Sequence, residues 1–262
     1  MLALAIAALA LAVSPAQPRP TDPFHVTAEP RGTLLVADGS SGRVLRIDPR
    51  TGRRTVFAGR LGRVYDVELG PDGVYVSTAT KVIRFAGGRR RTVASGLHDP
   101  IGIAVAQDGT LYVAEATATR VVRFDGGTRT VVASDGLDQP LGLAFDESGA
   151  LLVADSRRGR VVRVGDGGTL EPVLEGLGLP VGLTAAPDGT VLVADHVSHT
   201  SKGRILRLHA DGTTDVVSAG KIRALSGVAA TRGGVLYACS FVAPFVGRVD
   251  AKGRLVPIEP AK

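Results

Sequence analysis

Short apolar runs separated by polar turns fill this chain, and the same run returns six times. Its copies are Leu35-Val36-Ala37-Asp38, Tyr75-Val76-Ser77-Thr78, Tyr112-Val113-Ala114-Glu115, Leu152-Val153-Ala154-Asp155, Leu192-Val193-Ala194-Asp195 and Leu236-Tyr237-Ala238-Cys239. The alanine-type positions 37, 77, 114, 154, 194 and 238 lie 40, 37, 40, 40 and 44 residues apart. A period near forty without a helical segment predicts propeller blades. Within one copy, Pro100 to Val105 is an apolar strand and Gln107-Asp108-Gly109 a tight turn. Thr110 to Glu115, Arg120 to Phe124 and Thr128 to Ala133 supply three more strands. Such runs between Gly and Asp turns form an antiparallel meander. Four strands in six copies predict an all-β, six-bladed β-propeller of four-stranded antiparallel blades. The blades are expected over 24–60, 64–96, 100–136, 140–176, 180–220 and 225–259. No N-terminal strand is left over to complete blade 6, so blade 1 is expected to close the ring by packing.

Residues 1–13 form an unbroken apolar run, followed by Ser14-Pro15-Ala16. The run is shorter than the roughly 20 residues a bilayer span needs, and small residues follow it. It predicts a secretory signal over residues 1–16, with 17–23 a linker and 24–262 the propeller. The expected location is secreted or extracytoplasmic, periplasmic or cell-surface, with no transmembrane segment in the mature chain. A single cysteine, Cys239, excludes an internal disulfide; it stands where other copies carry an acid and is expected to be an inert, half-buried thiol. The net charge of +6 does not imply nucleic acid, because many basic residues recur at fixed repeat positions instead of forming one patch. A belt is expected at Arg46, Arg84, Arg123, Arg163, Arg207 and Arg248, one per third strand, with stems on the sheet and heads in water.

The pattern P-x-G-[IL]-A-x-x-x-x-G-x-[LV]-x-V-A-[DE], followed by R-[VI]-x-R, resembles the NHL-repeat propellers. At the superfamily level it is similar to the senescence-marker-protein/gluconolactonase group and to the streptogramin lyases. The resemblance covers residues 24 to 259 and implies the propeller fold. Its activities range from calcium- or zinc-dependent lactonases through a magnesium-dependent lyase to propellers that only bind. In the lactonase-like enzymes, metal ligands sit at the start of inner strands. The matching positions here are Phe24, Tyr65, Ile101, Leu141, Val181 and Ser226. Five are apolar or aromatic, whereas a hard cation wants several oxygen ligands. Asp66, one residue further, is the acid expected to reach the axis, and one carboxylate makes no metal site. No His matches the His-x-Glu pattern of the lyases.

Asp38, Glu115, Asp155 and Asp195 end their second strands at one rim. Their recurrence predicts a structural role, accepting backbone N–H groups of their own turns or pairing with Arg43, Arg120, Arg160 and Arg204. The histidines are less regular. His98 lies in a blade link, and His196 and His199 in the long blade 5 loop; a general acid/base role or a zinc site of Asp195, His196 and His199 is one reading, solvated loop histidines the other. His25 and His209 are expected to be structural. Phe241, in the irregular segment after the last copy, is expected to join the six inner-strand residues around an apolar mouth. With no Trp and 4% aromatic residues, an extended sugar-stacking groove is not expected.

Together these features predict a non-catalytic scaffold that binds a small molecule or a protein at the axial mouth, as a monomer and with no cofactor. The alternative is a metal-dependent hydrolase or lyase with calcium or zinc held by Asp66, His98, Asp195, His196 and His199.

Overall fold

Each copy of the repeat folds into one sheet, and the six sheets stand around a common axis. The computed structural model describes residues 17–197, 202–241 and 246–259. Every blade is four consecutive antiparallel strands in chain order. The inner strands are Pro23–Ala28, Val64–Gly70, Pro100–Val105, Pro140–Phe145, Pro180–Ala185 and Leu225–Ala230. The observed six-bladed, all-β ring is the predicted one, and the blade limits fall close to those expected. Among the described residues only two short 3-10 turns, Ser156–Arg158 and Asp166–Gly168, interrupt the β structure. No helix among them is long and apolar enough to cross a membrane.

The second strands are apolar on both faces because both faces are covered by neighbouring blades. Leu34–Asp38, Leu151–Asp155 and Leu236–Ser240 are buried at every residue. Strands buried on two sides read as continuous apolar runs. The core is accordingly divided into six clusters, each shared by two adjacent blades. Outer strands are solvated, as in Thr128–Ala133. Their free edges carry Arg89, Arg90 and Arg91, or the prolines Pro172 and Pro257. Charge and proline oppose edge-to-edge pairing.

Among the described residues no strand crosses from blade 6 into blade 1. The seam closes by packing, with Val26, Leu34 and Ile47 against Tyr237, Val246 and Ile258. Ser226 Oγ also donates to the Pro23 carbonyl at 2.7 Å. Residues 17–22, expected to be a linker, lie along blade 1. The backbone N–H groups of Thr21 and Asp22 donate to Asp38 at 2.7 and 2.9 Å, and Gln17 Oε1 accepts from the Arg54 N–H at 2.7 Å. The proposed signal, residues 1–16, lies outside the described residues.

The four rim carboxylates are structural anchors. Arg43, Arg120, Arg160 and Arg204 each donate through Nε to Asp38, Glu115, Asp155 and Asp195, at 2.6 to 2.8 Å. Backbone donors come from the link that enters the blade, not from the carboxylate's own turn as expected. They are His98 for Glu115, Asp138 for Asp155, and Gly178 and Leu179 for Asp195. The reason is geometric: second-strand ends and incoming links share the mouth face, so one carboxylate ties both. The third-strand arginines are less free than expected. Arg46 forms a bidentate pair with Glu29, and Arg84, Arg163 and Arg207 pair with Asp72, Asp146 and Asp188 from the turn between the first two strands.

Candidate functional site

The inner strands crowd at the axis, and glycine marks where they touch. In four blades the third inner-strand residue is a glycine: Gly102, Gly142, Gly182 and Gly227. A Cβ on Gly102 would stand 1.9 Å from the Leu141 carbonyl oxygen, and one on Gly142 2.7 Å from the Leu183 nitrogen. Blades 1 and 2 carry His25 and Asp66 at this register, so the two side chains enter the space around the axis.

Above them lies the mouth. Phe24, Tyr65, Ile101, Leu141, Val181 and Ser226, the residues expected there from the repeat register, line one recess together with Asp66 and Phe241. Its volume is about 80 Å³. Phe24 packs edge-on to Tyr65 and to Phe241, with centroids 5.5 and 4.8 Å apart. The Arg63 guanidinium lies over both Phe24 and Tyr65, at 5.3 and 5.6 Å from the ring centres. Such a cation favours the ring faces electrostatically. The mouth is therefore apolar at its floor with one cation at its edge. A larger groove of about 240 Å³ lies between blades 4 and 5, but Asp146, Arg163 and Glu171 within it are already paired with one another.

Beneath the mouth, His25 Nδ1 lies 2.6 Å from Asp66 Oδ1. Its ring N–H is not aimed along that line, and Nδ1 has no well-directed hydrogen bond. Asp66 joins three blades: Oδ1 accepts from its neighbour Val67 N–H at 2.7 Å and Oδ2 from Ile103 N–H at 2.9 Å. Its own N–H donates to Ser77 Oγ. Glu68, two residues along the same strand, completes a group whose donor atoms lie within 4.8 Å of one another. Two acids and an imidazole in little water perturb each other. Burial acts to lower the His25 pKa, but the charge of Asp66 beside it outweighs burial and raises it to about 9. Burial, reinforced by the Asp66 charge, pushes the Glu68 carboxyl up to about 8.

His25 and Glu68 carry a signal that the sequence reading missed. His25 stands where four other blades have glycine, and Glu68 where they have alanine or threonine. Cys239 is fully buried, not half-buried, because blade 6 packs it against the seam; Ser226 Oγ lies 3.2 Å from its sulfur. Burial pushes its thiol up to about 12, which keeps it protonated and unreactive.

The other expected site residues are not gathered at the axis. His98 gives its backbone N–H to Glu115. Asp195 uses both oxygens on Gly178, Leu179 and Arg204. His196 is not in a loop: the second strand of blade 5 runs on to Val197 and pairs His196 with Gly203. His199 lies outside the described residues. Among those described, His25, Asp66 and Glu68 form the one group of His, Cys, Asp or Glu side chains close enough to share an ion.

Residues 137–164 match the family model of the NHL repeat. No curated protein matches the chain. Among solved structures, it is similar to virginiamycin B lyase from Staphylococcus aureus at 17% identity, covering 93% of this chain and 86% of that one, with a TM-score of 0.68. A putative gluconolactonase is 19% identical over 84% of this chain and 86% of its own, with a TM-score of 0.70. A chain of a nidogen/laminin complex is 21% identical, covering 84% and 89%, with a TM-score of 0.71. At these identities the likenesses show a shared propeller fold.

Proposed function

We propose that this chain is a binding module whose axial mouth seats the apolar tip of a protein partner. One observation carries the reading: the six inner-strand residues and Phe241 enclose a shallow recess of about 80 Å³. That is the liquid volume of about three waters, whereas pockets for drug-sized molecules span about 300–1,000 Å³. A recess of this size holds one anchor side chain rather than a whole substrate. Protein interfaces concentrate their energy in such anchors. Arg63 at the rim suits a neighbouring acid on the partner. The nidogen/laminin neighbour supports the reading, since it is a propeller crystallised in a protein complex. The module acts as a monomer outside the cytoplasm, as the apolar residues 1–13 suggest, and nucleic acid is not its partner.

A peptide-display selection against the immobilised chain tests this. Enriched peptides should share an apolar anchor, and Tyr65→Ala or Phe241→Ala should weaken them about tenfold or more, as truncation at a hot spot does. Equal binding to both variants would remove the mouth from the reading.

The second reading, a metal-dependent hydrolase or lyase, is favoured by the His25, Asp66 and Glu68 group and by the likeness to a lyase and a putative gluconolactonase. It moves the chemistry from the blade 5 loop to the axis. Turnover of a lactone panel, abolished by Asp66→Asn, would replace the binding reading with this one.

A further inference from the structure

We propose that His25, Asp66 and Glu68 form a site for one divalent transition-metal ion, of the zinc type, inside the axial channel. This does not depend on the binding role of the mouth. It sits one layer deeper than the inner-strand positions Phe24 to Ser226, sharing His25 and Asp66 with the floor of the recess and adding Glu68.

Repetition supplies the first support. A structural feature of the repeat recurs from blade to blade, as the rim carboxylates do in four of the six. These three side chains break the repeat at neighbouring positions of two adjacent blades, in registers that are glycine, alanine or threonine elsewhere. Their donor atoms converge within 4.8 Å. Independent support comes from His25 Nδ1. The residue is only 8% exposed, faces the group, and lacks a well-aligned hydrogen bond. A buried polar atom left so is costly; a metal bond satisfies it.

The donor chemistry selects the ion. One imidazole and two carboxylates are ligand types that zinc accepts. Calcium takes six to eight oxygens and magnesium prefers oxygens in a strict octahedron, which these three residues do not supply. Asp66 is already oriented by the N–H groups of Val67 and Ile103, the kind of outer support that fixes a ligand.

The test is calorimetric titration of the chelator-treated full chain with zinc chloride, repeated with cobalt(II) chloride while visible absorption is recorded. Expected are one ion per chain and a cobalt spectrum of nitrogen and oxygen ligation, with calcium and magnesium giving no heat. Glu68→Gln is the first variant, because the amide matches the carboxyl in size while removing an anionic ligand. It and His25→Ala should each weaken zinc by more than about 100-fold, beyond the 10–100-fold that loss of an outer-shell partner costs. A thermal melt of each metal-free variant separates loss of the site from loss of the fold. No zinc or cobalt binding by the parent chain would overturn the proposal, as would one-to-one binding that Glu68→Gln leaves unchanged in a folded protein.

Discussion

At the scale of single residues, Glu115 shows how a propeller rim is held. It is fully buried, yet its carboxylate meets Arg120 at 2.6 Å, Arg129 at 2.5 Å and the His98 N–H at 2.9 Å. Burial acts to raise its pKa, but the Arg120, His98 and Arg129 hydrogen bonds outweigh it and hold the carboxyl below the usual glutamate range. The unfolded chain therefore takes up this proton first as pH falls. Stability from Glu115 is fully present above the ordinary pKa of about 4.3 and is lost as pH drops through the folded value. Glu115→Gln should cost about 3 kcal/mol at pH 7, since it leaves two arginine heads at a buried site without their charge partner. The gap to the parent chain should narrow in urea melts at pH 3. Arg84→Gln, whose partner Asp72 is half exposed, should cost less than about 1 kcal/mol. The anchor role of Glu115 was legible because it recurs with Asp38, Asp155 and Asp195. The His25–Glu68 group was not, because no repeat announces a position that departs from it, and only the folded ring brings blades 1 and 2 together.

Elements follow the same logic through their glycines. The inner strands read as strands from their apolar runs and turns, and that reading held in all six blades. What periodicity does not report is how closely one strand passes another. Gly102 touches the Leu141 carbonyl so tightly that a methyl group would need the backbone to move. Gly102→Ala should therefore destabilise by about 3 kcal/mol, the upper end of overpacking, and should misplace the neighbouring Ile101 at the mouth. Gly233 is the control: its Cβ position is open and its backbone is not left-handed. Gly233→Ala should be neutral or stabilise by about 0.5 kcal/mol, because it restricts the unfolded chain. Chemical denaturation of the two variants separates close packing from turn entropy. Blade 5 marks the opposite failure. A polar segment rich in Ser and His reads as a loop, yet the hairpin continues through His196 and Val197, and the outer strand lengthens to Thr214–Arg223 to follow it. Backbone pairing outweighed the local composition there.

For the whole molecule, the question is whether a ring closed without a shared strand has a weak seam. The sequence left no spare N-terminal strand, and the sheet order agrees. Packing must then do at the seam what hydrogen bonds do within a blade. The blade 6–blade 1 junction buries ten core residues, Tyr237 and Ile258 among them, against eight at the blade 2–blade 3 junction. The seam is no poorer in apolar surface than the other junctions, and burial is the dominant favourable term in folding. Polar ties add to it, from Ser226 to Pro23 and from the Arg54 guanidinium to the Ile258 carbonyl. Opening the seam would expose as much core as separating any other pair of blades, so no partly open ring gains a thermodynamic advantage. Native-state hydrogen exchange checks this. Amides of the second strands Leu34–Asp38 and Leu236–Ser240, which flank the seam, should exchange only through global unfolding, with the same protection as Leu111–Glu115 and Leu151–Asp155. Protection lower by about 2 kcal/mol in the two flanking strands alone would mean that the ring opens at the seam before it unfolds, and that packing there is weaker than its buried residues indicate.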